Sequence, residues 1–516
     1  GNGRKGDGLS ERPPMRFLAF AVALSIAASA EAADDLLIRN VRLVSPETGA
    51  VTSRAWLRIA DGVVAETGKG RVRPRPSERA IDGAGRYLVP GLIDSHVHVW
   101  GDAGVREDRL AADPGLLEAF RAQEPKSFLR FGFTTLVDLK KSQATVDRWN
   151  AQSIAPALFA CRDAPFADGY GMGFEPAETR FERPYYYYDP EQPDSIPADA
   201  DPAAHTPEAV VAAIAADGDA ICLKTFYEPG FSGLFDFAVP SLALETRMAN
   251  AAHAAGLLHV FHATSLEAWR IGAAAGVDVM AHGLWHWDAL APRGVERLPE
   301  DIETLADAMI AQGTAFQLTA RILGGEIDQY REEFLDDPRL VDALPPSLLA
   351  YFKGPDGAWF RDALERRIAG APGLLERFLG RAPTGEKAET SKTALVRLTL
   401  LAHYIREKNG LILFGSDTPS SPGPTNPPGL NGRLEMDALA AMGFSPAAIL
   451  KAATTDNARI FGLQGRGCLN AGCRGDALLL SDNPLQSVAA YDAIDLVILG
   501  GRPLDPAALS ARNAPQ

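Results

Sequence analysis

Between residues 92 and 416, eight short apolar runs recur with helix-like stretches between them, and this alternation restricts the possible folds more than any other feature. The runs read LIDSHVHV, FTTLVDL, APALFA, AICLKTF, LLHVFH, VDVMAH, TAFQLT and LILFGS; the stretches between them include LEAFRAQEPKSFLRFG and SLEAWRIGAAAG. Runs that are apolar throughout suit parallel strands buried on both faces. Eight strand–helix repeats close as a (β/α)8 TIM barrel, an α/β fold that needs about 250 residues. The chain has 516, so insertions and a second unit are expected.

The ends of the chain have a different texture. Residues 33–90 hold short β-rich runs broken by turns, and residues 464–510 return to the same pattern with GDALLLSD and DLVILGG. Neither piece can bury both faces of a sheet alone, so the two together are expected to form a small β-sandwich domain beside the barrel of residues 91–463. Two stretches exceed ordinary strand–helix connections: 162–205, rich in Pro, Asp and Tyr, and 321–395, with several helix-like segments. Insertions after barrel strands lie over the catalytic face, which makes both candidate lids; peripheral decoration is the alternative.

From Met15 the sequence MRFLAFAVALSIAASAEA has the positive residue, apolar run and small-residue ending of a secretory signal peptide, with cleavage expected after Ala32. The run is too short to span a bilayer, which takes about 20 residues. A periplasmic or secreted protein follows as the expectation, with residues 1–14 given no role and no integral membrane segment after cleavage. The net charge of −15 argues against nucleic acid as a partner. Cys161 and Cys222 sit in apolar runs and read as buried thiols. Cys468 and Cys473 flank a Leu-Asn-Ala-Gly turn and are the disulfide candidate, a zinc pair being the weaker reading.

Residues that carry chemistry gather at the ends of the apolar runs. His96 and His98 are two apart, so a strand aims both at one point, as a metal site requires. Lys224 lies in AICLKTF, where an unpaired ammonium costs several kcal/mol. It must be paired with a carboxylate, neutral, or chemically altered, one alteration being carbamylation by carbon dioxide. His262 and His282 each close a run. His259, three residues before His262, points to the other face and reads as structural. Asp417 follows LILFGS, where a carboxylate can bind metal and carry a proton; a turn-forming Asp is the plain alternative. Tyr227, just past Lys224, could hydrogen-bond a substrate oxyanion or simply pack, and His286 could touch substrate. His205, His253 and His403 carry no signal.

Taken together, these residues give the chain a resemblance to the amidohydrolase superfamily. LVPGLIDSHVHVW resembles its first-strand motif, GFTTLVDL the second strand, FHATS and GVDVMAHG the fifth and sixth, and LFGSDTP the eighth. LKAATTDNARIFGL, GDALLLSDNPL and VILGG resemble its closing helix and returning strands, so the likeness runs from about residue 36 to 505. The resemblance implies two divalent ions, zinc by default with manganese or iron also fitting. His96, His98 and Asp417 would hold the more buried ion, His262 and His282 the second, and carbamylated Lys224 would bridge them. Asp417 would also carry the proton during hydrolysis.

The combination of GFTT, the fourth-strand lysine and FHATS is most similar to the imidazolonepropionase-like and Xaa-Pro dipeptidase-like branch. Those relatives often carry Gly-Gly-His after the third strand, where this chain has DGYGMGFEP, so substrate contacts do not transfer. The implied activity is cleavage of a C–N amide bond in a small substrate such as a dipeptide, N-acyl amino acid or cyclic amide. A lactone or phosphoester hydrolase would use the same site. A mononuclear deaminase would need a carboxylate near His262, and Glu267 fits that poorly. A non-catalytic exported binding protein would be expected to have lost ligands. Homo-oligomerisation is left open.

Overall fold

The computed structural model describes residues 35–231, 234–287, 295–369 and 387–514; the leader expected within residues 1–32 lies outside them. Five strands come first: β1 (Leu36–Val44), β2 (Val51–Ala60), β3 (Val63–Lys69), β4 (Arg79–Asp82) and β5 (Tyr87–Pro90). The central strands are β6 (Leu92–Val97), β7 (Phe133–Asp138), β8 (Ala157–Ala160), β9 (Arg162–Asp163), β10 (Cys222–Tyr227), β11 (Leu258–Ala263), β12 (Val279–Ala281), β13 (Ala315–Gln317) and β14 (Leu411–Leu413). The last three are β15 (Ala477–Leu480), β16 (Ile494–Leu499) and β17 (Arg502–Leu504).

The central strands are parallel and paired in chain order, β6-β7-β8 in one sheet and β9 through β14 in another. β8 and β9 are halves of one strand broken at Cys161. The Cys161 amide donates to Asp138 O (2.9 Å) on β7, and Ile221 just before β10 donates to Ala160 O (3.1 Å). At the other seam, Ser95 N donates to Phe414 O (3.1 Å), Asp417 N to His96 O (2.8 Å) and His98 N to Thr418 O (2.7 Å). The backbone ladder thus returns from the last central strand to the first, and it does so at His96, His98 and Asp417.

A helix follows each central strand, the β8–β9 pair counting as one, and local chemistry sets where several begin and end. After β11, Ser265 caps the helix Leu266–Ala275 by accepting from Ala268 N, and Gly276 ends it in the left-handed region at φ 78°. Thr206 and Ser241 cap the helices Pro207–Ala216 and Leu242–Ala254 in the same way.

The two ends of the chain share a single eight-stranded sheet, ordered β17-β16-β15-β5-β1-β2-β3 with β4 against β1. The join is β15 antiparallel to β5, with Leu479 opposite Leu88. Period two divides β15 between two cores. Ala477 and Leu479 pack with Leu36, Ile38, Leu57 and Ile498 inside the sheet, while Leu478 and Leu480 join the large core around the parallel strands. Each such leucine contributes roughly 1.5–3 kcal/mol of burial.

Cys161 and Cys222 depart from their reading as thiols. β9 pairs with β10 so that Leu223 faces Arg162, which brings the two cysteines opposite each other with Cα atoms 4.4 Å apart, and they form a disulfide. Two separate apolar runs gave no sign of that register. Cys468 and Cys473 are also bonded, across the short turn.

The insertion at 162–205 contains short 3-10 turns and a small core of Ala167, Met172, Tyr186, Tyr188 and Ile196. Arg183 ties it to the ring by ion pairs to Asp163 on β9 and to Glu175. The second insertion supplies the helices Arg321–Asp328, Leu340–Ala343, Pro346–Lys353 and Trp359–Ala369 and the start of Lys387–Glu407; residues 370–386 lie outside the described set.

Candidate metal centre

His96 on β6 and His98 just beyond it reach the same carboxylate oxygen. His96 Nε2 is 3.2 Å and His98 Nε2 3.0 Å from Asp417 Oδ1. His282, directly after β12, places Nδ1 3.9 Å from Asp417 Oδ2. His96, His282 and Asp417 each offer a ligand atom within 4.8 Å of the others, the one such group of three among the described residues. The His262 ring on β11 lies 4.5 Å from that of His282. Lys224 on β10 is 2% exposed, and its charge disfavours protonation of His96, His262 and His282.

Surrounding groups orient these side chains. Gln317 on β13 donates its amide N–H groups to Ser95 O (3.0 Å) and Ser95 Oγ (2.7 Å), which turns its Oε1 towards His96 Nδ1 at 3.2 Å. His282 Nδ1 lies 2.9 Å from Thr319 Oγ1. Asp94 accepts from Ser416 N (3.0 Å) and Ser416 Oγ (2.5 Å), and Asn431 donates to Ser416 O (3.1 Å) and Thr418 Oγ1 (2.9 Å), clamping both sides of Asp417. That clamp holds Asp417 at φ 53°, and His282 sits at φ 77°. Such left-handed residues cost about 1–3 kcal/mol each and gather at functional sites.

The donor set fits a divalent cation. Gln317 can only accept from His96, so His96 carries its proton on Nδ1 and directs the Nε2 lone pair at Asp417. Burial holds His96 down at about 4, and burial likewise keeps His262 and His282 low, so all three are neutral imidazoles near pH 7. Against burial, which raises it, protonated His96, His98 and His282 would hold the Asp417 carboxyl well below the usual carboxylate range, and with the imidazoles neutral a cation would have to supply that positive charge. A lone pair and a carboxylate oxygen 3.2 Å apart repel unless a cation lies between them. Imidazole nitrogen with carboxylate oxygen suits zinc, and also manganese or iron.

Two further groups are short of partners. Lys224 Nζ and His262 Nε2 are buried and have no hydrogen-bond partner among the described residues. Burial brings the Lys224 ammonium down to about 7 against the pull of Asp417 and Asp163. Glu228, 3.6 Å from His262 Nε2, accepts from the backbone N–H of Gly230 (2.9 Å) and Phe231 (2.6 Å) and from the hydroxyl of Thr264 (2.5 Å).

The remaining sequence candidates divide. His286 lines a cavity of about 670 Å³ whose walls include His262, His282 and Asp417. Tyr227 does not: its hydroxyl donates to Glu267 Oε1 (3.0 Å) and it is absent from the cavity wall. Alternation along β10 explains this correction, since Lys224 faces the cluster and Tyr227, three residues on, faces the other side. Thr225 and His259 also face outward, 2.7 Å apart and both close to the buried Glu245.

Sequence reasoning missed Gln317, Glu228 and Tyr170. Gln317 carried a usable signal, a lone amide in the apolar run TAFQLT. Glu228 shares its parity with Lys224, but it lies past the strand end. Tyr170 comes from DGYGMGFEP, the stretch that departs from the superfamily pattern, and its ring stacks on His262 at 4.6 Å.

No family model matches the chain. A dihydroorotase from Citrifermentans bemidjiense is 33% identical over 114 residues, 22% of this chain and 24% of the relative, so the match spans about a quarter of that protein. A D-hydantoinase from Ralstonia pickettii is 43% identical over 65 residues, 13% of each chain. Over the whole fold, an amidohydrolase crystal structure matches with TM-score 0.60 and 21% identity, covering 91% of this chain and 99% of the other. A Xaa-Pro dipeptidase with bound methionine in its active site matches with TM-score 0.60 and 18% identity, covering 91% and 100%. At these identities the structural likeness is one of fold. With the named homologues, it supports the amidohydrolase superfamily resemblance drawn from the motifs.

Proposed function

We propose that the chain, kin to the amidohydrolase superfamily, is an exported metal-dependent hydrolase that cleaves a C–N amide bond of a small substrate: a dipeptide, an N-acyl amino acid or a cyclic amide. The observation that carries this reading is the convergence of His96 and His98 on one oxygen of Asp417 with His282 on the other. In this reading the ring of parallel strands is a (β/α)8 barrel and the shared terminal sheet is its flanking sandwich. The dihydroorotase, D-hydantoinase and dipeptidase likenesses support a C–N substrate.

His96, His98 and Asp417 would hold one divalent ion, His262 and His282 a second, zinc being the first choice. Lys224 would join them as a carbamate, its neutral amine adding to carbon dioxide with loss of a proton. The buried Nζ, with no hydrogen-bond partner among the described residues, supports that modification. Bound divalent ions supply a Lewis acid that polarises a carbonyl and lowers the pKa of water towards 7. Asp417 takes the proton from the attacking water and returns it to the leaving nitrogen. Gln317 and Thr319 keep the imidazoles aimed during these transfers, and Trp285 and His286 wall the site against bulk water. Glu267, which fits a deaminase's carboxylate poorly in sequence, accepts from Tyr227, while the carboxylate beside His262 is Glu228 at 3.6 Å.

Pairing of all four described cysteines supports an oxidising compartment. The test is metal analysis of purified protein together with turnover of a dipeptide and N-acyl amino acid library by zinc-loaded enzyme. Two ions per chain and release of free amine are expected. Metal-replete protein that turns over no carbonyl or phosphoryl compound would overturn the enzyme reading in favour of a binding protein.

A further inference from the structure

The cavity above the cluster has a chemical character of its own. A wall of rings runs outward from His262: Tyr170 stacks on it at 4.6 Å, Tyr170 meets Phe174 at 5.8 Å and Phe231 at 5.5 Å, and Phe174 meets Phe235 at 5.1 Å. The Arg367 guanidinium lies 4.1 Å over Phe235 and completes the wall. Phe360 and Trp285 also line the cavity. Among the described lining residues, the charged side chains other than histidines are Asp417 in the cluster, Arg367 on its ring, and Glu326, which accepts from the Ser391 hydroxyl at 2.6 Å.

Two facts argue that this wall receives a ligand. Phe174 is 60% exposed, a large ring left in solvent at the mouth of a cavity that already holds the hydrolytic cluster. The insertions contribute to it from both sides, Tyr170 and Phe174 from one and Phe360 and Arg367 from the other, and the segment after β10 adds Phe231 and Phe235 between them. A volume of about 670 Å³ falls in the range that takes one small molecule. Rings presenting faces and edges at 5–6 Å favour a flat aromatic partner, which adds offset or edge-to-face contacts to simple burial.

We propose that the substrate is an amide carrying an aryl group next to the scissile bond, on its acyl or its amine side, seated against Tyr170, Phe174 and Phe235. This rests on the hydrolase reading above. Hydrolysis breaks the C–N bond, water giving its hydroxyl to the acyl carbon and its proton to the nitrogen, so one product is an aryl acid or an aryl-bearing amine.

The test uses two matched pairs on zinc-loaded full-length protein: N-benzoylglycine against N-acetylglycine, and N-acetyl-L-phenylalanine against N-acetyl-L-alanine. The same four compounds are titrated calorimetrically into metal-free protein. In at least one pair the aryl member should show kcat/KM higher by roughly tenfold or more and correspondingly tighter binding. Phe174→Ala, at a position 60% exposed, and Phe235→Ala should each shrink that aryl-to-aliphatic ratio, which is read within each variant whatever its absolute rates. Equal turnover within both pairs, or a ratio untouched by both variants, overturns the aryl assignment and leaves the hydrolase reading standing. Aryl-selective binding with no turnover overturns the assignment of an aryl amide as substrate and keeps only an aryl-binding site. Neither turnover nor aryl-selective binding overturns the aryl assignment, the hydrolase reading then being decided by the dipeptide and N-acyl amino acid library.

Discussion

Gln317 uses both ends of its amide, donating to Ser95 and accepting from His96, so one side chain decides which imidazole nitrogen faces Asp417. Partners of this kind typically account for ten- to hundredfold in metal affinity. We expect Gln317→Leu to weaken metal binding by about that factor while the fold survives, as read by competition with a chelating dye; unchanged affinity would remove its orienting role. Lys224 tests the bridge. Lys224→Ala should lose metal and activity, with partial restoration by bicarbonate or short carboxylates, and normal metal occupancy in that variant would defeat the bridging role. The cluster residues could be placed at strand ends from the sequence because period two and an abrupt polar residue after an apolar run are local signals. Glu228 could not be paired with His262 that way, since the pairing needs the β10–β11 register that brings Phe226 opposite His262.

At the scale of elements, the parallel strands were legible because continuous burial leaves an uninterrupted apolar run: β6, β7, β12 and β13 are buried at every position. The insertions were legible as extra length, and their conformation was not. Arg183 shows why. It joins Asp163 on β9 to Glu175 within the insertion, and nothing in its sequence neighbourhood marks it among the chain's other arginines. Removing one partner of a largely buried pair strands the other, at about 3–5 kcal/mol. Arg183→Ala should therefore expose residues 164–206 to limited proteolysis and raise KM more than it lowers kcat. A digestion pattern identical to the parent would show that the tether is dispensable.

For the molecule as a whole, the two disulfides differ in reach: Cys468–Cys473 spans 5 positions and Cys161–Cys222 spans 61. Protein exported into an oxidising compartment should show no free thiol when denatured without reductant, and reduction should lower stability by roughly 2–5 kcal/mol per bond lost. Free thiols in that assay would contradict both the pairing and export as its cause. Sequence alone determined what local chemistry can encode: the strand–helix alternation and which residue types stand at each strand end. Tertiary structure alone decided what depends on neighbours distant in the chain. It set Cys161 opposite Cys222, turned Tyr227 out to Glu267, laid Tyr170 on His262 and assembled an aromatic wall from two insertions and the segment after β10. The physical reason is that side-chain direction follows from a short-range backbone repeat, whereas contact between distant segments is settled by packing and register over the whole fold, which no single stretch of sequence contains.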